Sequence, residues 1–137
     1  MKHKILSVAV LAAGVCAAHS AGMGTTSHSG HAGKVAGGHR DCTQLEGLWE
    51  DAGGSAGEAF TAAEIAMAES SGDQDATDDD GNGTVDRGYW QINSIHGAQS
   101  TYDAYGNARA AVLISDDGTN WGPWTTYKSG AYEGQCS

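Results

Sequence analysis

The chain has 137 residues, of which 17 are acidic and 7 basic, giving a formal net charge of -10 at pH 7. Such a balance excludes a phosphate-matching basic stripe, and nucleic acid is not an expected partner. No internal repeat is visible, and apart from the first twenty residues no run is apolar enough to suggest a bilayer span.

Residues 1–20 read as a secretory signal peptide. Lys2 and Lys4 precede an apolar run from Ile5 to about Ala18 that ends in small residues and is too short for a membrane span. Cleavage after Ala18 or after Ser20 satisfies the small-residue preference equally. Lipid attachment at Cys16 is the alternative, disfavoured because Val15 stands where a small residue is expected. The mature protein is therefore expected to be secreted, without membrane insertion. Residues 21–40 are almost entirely Gly, Ser, Thr, His and Ala, and read as a flexible linker unable to bury a core. Its histidines, His28, His31 and His39, are irregularly spaced and read as solvated rather than as metal ligands. Without Lys2 and Lys4, 5 basic residues face 17 acidic ones, a mature net charge of -12 with neutral histidines.

Residues 41–137 form the expected folded domain. The stretch from Cys42 to Cys136 is about 95 residues, and a chain of that size buries only about 60 to 65% of its unfolded surface. A covalent staple is thus expected. Cys16 leaves with the signal peptide, so Cys42 and Cys136 are the only pair available for an intramolecular disulfide in an oxidising compartment.

Leu45, Leu48 and Trp49 recur at helical spacing within Thr43–Ala52, with Thr43 as cap, Glu46 completing a capping box, and Gly53-Gly54 as terminator. A second helix is predicted from about Gly57 to Glu69, and a third from about Asn107 to Ser115. A short helical turn is expected over Pro123–Tyr127. Between the second and third helices the chain is rich in Gly, Asp and Asn, with short strands expected at Thr84-Val85 and over Tyr89–Ile92. The pattern predicts a mainly α (α+β) domain with a small irregular β-region.

Glu69 closes a run of apolar or small residues that includes Phe60, Ala62, Ala63, Ile65, Ala66, Met67 and Ala68. A carboxyl leaving a dry helix face has its pKa raised by desolvation, and the negative end of the helix dipole acts in the same direction. A carboxylic acid kept protonated near neutral pH is what a glycosidic oxygen requires as general acid. If Gly88-Tyr89-Trp90-Gln91-Ile92-Asn93 is extended, Tyr89, Gln91 and Asn93 share one face and Trp90 and Ile92 the other. Aromatic platforms and amides together suit N-acetylated sugars. His96 is the one histidine expected in the folded domain, as a substrate contact or as a surface or capping residue.

Asp78, Asp80, Asn82, Thr84 and Asp86 lie in a segment with oxygen donors at alternate positions and a glycine at position six, which matches most of a calcium loop. Tyr89 stands where the closing bidentate glutamate belongs, so a solvated Asx-rich turn is the competing reading. No cofactor is required by the expected chemistry, and calcium is the one candidate ion.

AESSG (68–72) followed by GYWQIN (88–93) resembles the E-S-x-G and G-L-M-Q-I-N motifs of the lysozyme-like superfamily, in particular soluble lytic transglycosylases and goose-type lysozymes. NARAAVLIS (107–115) and NWGPWTTYKSGAY (120–132) look like the N-A-x-A-A helix and the W-x-x-Y closing segment of those enzymes. The resemblance spans about Cys42 to Cys136 and implies a lysozyme-like catalytic domain acting on peptidoglycan as a monomer. It implies cleavage of the β-1,4 bond between N-acetylmuramic acid and N-acetylglucosamine, with Glu69 as general acid, Gln91 binding substrate and Ser70 orienting the site. Asp86, in a D-R-G segment similar to that of goose-type lysozymes, is the candidate second carboxylate. Tyr127 is the candidate hydrogen-bond partner of Glu69, or else a core tyrosine. Hydrolytic and anhydro-forming cleavage both remain open at this stage. A non-catalytic carbohydrate or calcium module and a chitin-directed glycosidase are the rival readings.

Overall fold

The computed structural model of the protein describes residues 38–137. The predicted signal peptide, most of the predicted linker, His28 and His31 lie outside the described residues. The architecture is mostly helical with one small antiparallel sheet. No helix among the described residues is long and apolar enough to cross a membrane.

Helix α1 spans Cys42–Asp51 and starts two residues earlier than the Thr43 cap would place it. Its cap is Asp41, which accepts from the Gln44 amide at 2.9 Å, while the Gln44 side chain accepts from the Asp41 amide at 3.0 Å. The capping box is therefore Asp41/Gln44 and not Thr43/Glu46, since a carboxylate is a stronger acceptor than a hydroxyl for an unpaired helix N–H. In that frame Leu45, Leu48 and Trp49 all enter the core.

Helix α2, Ala59–Ser70, is the central element. Ala59, Ala62, Ala63, Glu64, Ile65 and Ala66 are buried, and the small side chains of the four alanines let neighbouring backbone approach closely. Phe60, grouped by sequence with the dry face, is instead 51% exposed. Helix α3 runs Ala104–Ile114 and α4 Thr125–Ser129, so α3 begins three residues before the predicted start and α4 two residues after it. Asp103 caps α3 by accepting from the Gly106 amide at 2.8 Å.

Strands β1 (Thr77–Asp79), β2 (Val85–Arg87) and β3 (Ile92–Asn93) form an antiparallel sheet in that order. Asp78 faces Asp86 across β1 and β2, and Asp86 faces Asn93 across β2 and β3, making one cross-strand row. A 3-10 helix over Ser94–Gln99 follows.

All four tryptophans are buried. Trp49 packs on Trp121 and Trp90 at centroid distances of 5.4 and 6.4 Å, and Trp121 meets Trp124 edge-on at 5.0 Å. Cys42 and Cys136 form the expected disulfide, with Cα atoms 5.6 Å apart, tying the start of α1 to the end of the chain. The last three linker residues belong to the fold. The Arg40 amide donates to the Gly72 carbonyl at 2.8 Å, and His39 bridges to Asp73. A side chain at Gly72, where φ is 75°, would collide with the Arg40 carbonyl. The domain thus contains His39 as well as His96, because these backbone bonds add the end of the linker to it.

Candidate active site

A cleft of about 280 Å³ opens between the end of α2, the sheet and the segment leading into α4. Glu69, Asp86, Gln91 and Asn93 supply its polar lining, and Ile92, Ile95, Ile114, Pro123 and Trp124 its apolar lining, with His96 and Thr125 at the wall.

Two indole hydrogen bonds set the relative positions of these walls. Trp90 Nε1 donates to the Ala62 carbonyl of α2 at 2.9 Å, and Trp124 Nε1 donates to the Trp90 carbonyl at 2.8 Å. Both bonds are buried, where an indole N–H left without an acceptor would carry a desolvation cost of about 1–3 kcal/mol. Alpha-helix α2, the β2–β3 connection and the entry to α4 are therefore pinned to one another around the cleft.

Glu69 lies in the last turn of α2, which stops at Ser71 in the left-handed conformation (φ 55°). Burial raises its pKa above the ordinary carboxyl range, and the carboxylates of Asp86 and Asp78 add to the rise. The Thr126 hydroxyl opposes it by donating to Oε1 at 2.6 Å. Asp86, in the middle of the Asp78–Asp86–Asn93 row, also has a raised pKa, first from burial, with the Asn93 side chain offsetting it and Asp80 and Asp78 adding to it. One Asp86 oxygen, Oδ1, is buried without a hydrogen-bond partner. Two acids with raised pKa values thus line the same cleft, each holding its proton to higher pH than an ordinary carboxyl does.

The Gly88–Asn93 segment is not extended throughout. Gly88 (φ 76°) and Gln91 (φ 45°) are both left-handed, and the Gln91 amide N–H donates to the Gly88 carbonyl at 3.1 Å, which closes a turn before β3. Alternation between faces is therefore lost. Tyr89 is fully buried, accepting from Arg40 Nε at 3.1 Å and donating to the Gly38 carbonyl at 2.8 Å; it is a core residue away from the cleft. Gln91 does line the cleft, but its side-chain NH2 is spent on the Ala76 and Gly88 carbonyls at 3.0 and 2.8 Å, leaving its oxygen as the free polar atom. Asn93 and His96 line the cleft as well.

Ser70 donates back to the Ala66 carbonyl at 2.9 Å and does not reach the cleft. Tyr127 stacks on Tyr132 at 4.9 Å, and its neighbour Thr126 holds Glu69 instead. One residue earlier on a short helix points to a different side, so the W-x-x-Y segment marked the right neighbourhood and the wrong side chain.

The acidic segment forms a β-hairpin, which places Asp78 and Asp86 opposite each other in paired strands. Asp80 Oδ2 accepts from Asn93 Nδ2 at 2.8 Å, and the Thr84 hydroxyl lies 2.6 Å from both Asp80 Oδ2 and Asn82 Oδ1, which share its one hydrogen. Among the described residues no three His, Cys, Asp or Glu side chains converge as a metal-holding group.

A helix ending in a half-buried acid beside a three-stranded sheet, with a polar groove between them, defines a small α+β domain built around an acid-lined cleft. This chain belongs to the lysozyme-like domain family, whose match covers residues 46–126, more than half of its length. No curated protein and no solved structure matches the chain significantly. Family membership supports a peptidoglycan-related glycosidase or transglycosylase role.

Proposed function

We propose that this protein is a secreted muralytic enzyme that cleaves the β-1,4 bond between N-acetylmuramic acid and N-acetylglucosamine, with Glu69 as general acid. The observation that carries the reading is Glu69 itself, a carboxyl half-buried at a helix end, facing a cleft, with its pKa raised by burial. Glu69 gives its proton to the glycosidic oxygen as the C1–O bond breaks and the bond electrons leave with that oxygen, and positive charge develops at the sugar's C1 and ring oxygen. The Glu69 carboxylate then takes a proton from the group that attacks C1. An attacking water gives hydrolysis, and the muramic C6 hydroxyl gives a 1,6-anhydro product. The proton transfers themselves require no cofactor.

A second carboxyl on the same cleft, Asp86, supports the hydrolytic branch, in which it would steady charge or water. Gln91, Asn93 and His96 are the proposed sugar contacts. Glu69→Gln preserves shape and removes the acid, so turnover on purified peptidoglycan should fall by roughly 10²- to 10⁴-fold while binding persists. Wild-type clearing by Glu69→Gln would instead leave a binding module. Asp86→Asn should abolish most activity in the hydrolytic branch and little of it in the anhydro branch. Product masses decide independently, since anhydro products are one water lighter.

A further inference from the structure

We propose that Thr126 is a positioning residue that fixes which oxygen of Glu69 carries the catalytic proton. The inference rests on the reading of Glu69 as general acid. The Thr126 hydroxyl donates to Glu69 Oε1 at 2.6 Å across a sequence separation of 57 residues. A protonated carboxyl has one acceptor oxygen and one hydroxyl oxygen. With Oε1 engaged as acceptor, the proton resides on Oε2, the oxygen the hydroxyl leaves free. Rotation of the carboxyl that would exchange the two oxygens breaks this bond, so the proton stays directed to one place. After proton transfer the same hydroxyl stabilises the carboxylate, a charge-assisted bond shorter and stronger than a neutral one.

Thr126 is held for this task from both sides. It lies two residues after Trp124, whose ring is buried and whose indole is bonded to Trp90, and the Ser129 hydroxyl donates to the Thr126 carbonyl at 3.2 Å. Glu69 is fixed in turn by α2, to which Trp90 is bonded through Ala62. Donor and acceptor are thus delivered by two elements that share one indole chain, and neither depends on substrate for its place.

The test compares Thr126→Val, which removes the hydroxyl and keeps the shape, with Thr126→Ser, which keeps the hydroxyl. Activity against purified peptidoglycan is measured across pH beside wild type and Glu69→Gln. Thr126→Val should lose roughly 10-fold or more in kcat, and the alkaline limb of its pH profile should move up by about one pH unit, as expected for losing a bond to a charged group. Thr126→Ser should restore both to within about twofold of wild type. An unmoved alkaline limb in Thr126→Val, or equal impairment of Thr126→Ser, overturns the inference and leaves Thr126 as packing. If Thr126→Val does not fold, Thr126→Ala carries the same pH comparison, and failure of Thr126→Ser to keep the wild-type limb is by itself fatal to the idea. Full activity of Glu69→Gln strikes the general-acid reading instead, so the two failures are distinguishable.

Discussion

At the scale of single residues, Glu69 links function to stability through its proton. Its folded-state pKa lies above the ordinary carboxyl value, mainly because burial penalises the charged form. The unfolded chain therefore releases this proton more readily than the folded one, and ionisation favours unfolding. The stabilising contribution is fully present below the ordinary carboxyl pKa and is lost as pH rises through the folded-state pKa. Glu69→Gln carries no such penalty. Its melting temperature is expected to exceed that of wild type at neutral pH, with the advantage vanishing below the ordinary carboxyl range, as scanning calorimetry at several pH values would read. Asp86→Asn should behave in the same direction, since its raised pKa has the same leading cause. A neutral-pH loss of stability in Glu69→Gln would mean that the carboxylate is better satisfied in the fold than its surroundings indicate. Under the proposed mechanism catalysis has the same preference: the acid form is the active one, and the rate should fall as pH rises through that same pKa.

At the scale of elements, one asparagine of α3 builds the turn that presents the cleft. Asn107 is fully buried; its Oδ1 accepts from the Trp90 amide at 2.9 Å, and its Nδ2 donates to the Arg87 and Thr101 carbonyls at 2.8 and 2.9 Å. Gly88 makes room for it, because a Cβ there would sit 2.5 Å from Nδ2. Asn107→Leu keeps the volume but strands three backbone groups in the core, so a loss of about 3–5 kcal/mol is expected in a urea melt. A loss below about 1 kcal/mol would show that those backbone groups find other partners. The same residue explains what could and could not be read in the sequence. Helices were legible because Leu45, Leu48 and Trp49, or the alanines of α2, repeat at a local period that burial rewards. Glu69 was legible because it ends such a run. The Gly88–Asn93 turn was not, since it depends on the Trp90 amide donating to Asn107 and on the Gln91 side chain donating to the Ala76 and Gly88 carbonyls rather than on alternation of its own side chains. Thr126 was hidden for a similar reason: nothing near position 126 indicates a partner 57 residues away.

At the scale of the whole molecule, the fold is closed at its end and strongly negative on its outside. The disulfide joins Cys42 to Cys136 across a sequence separation of 94, and the buried Glu64 of α2 accepts from the Gly134 amide at 2.8 Å, so the last residues are clamped twice. In the chain-entropy model a loop this long contributes roughly 4–5 kcal/mol. Replacing both cysteines by serine should lower the melting temperature by roughly 15–40 °C for a domain of this size. A shift of only a few degrees would show that the Glu64 clamp and the helix packing suffice without the crosslink.

Charge governs how this domain meets its proposed substrate. With 17 acidic residues against 3 basic ones (Arg87, Arg109 and Lys128) in residues 41–137, it approaches anionic cell walls under long-range repulsion. The repulsion weakens as the screening length contracts from about 30 Å at 0.01 M salt to about 10 Å at 0.1 M. Clearing of intact walls should therefore rise over that interval, whereas cleavage of an uncharged soluble chitooligosaccharide, if the cleft accepts it, should be nearly salt-independent. Equal ionic strengths supplied as sodium, magnesium and calcium chlorides separate screening from binding. Screening alone predicts that magnesium and calcium act alike and that EDTA changes nothing once ionic strength is restored. A calcium-specific increase, accompanied by a higher melting temperature, would assign the Asp78–Asp86 hairpin to an ion after all, because only a ligand that prefers the folded state stabilises it by mass action. A rate that falls with every salt would reverse the electrostatic argument and point to an attractive contact between enzyme and wall.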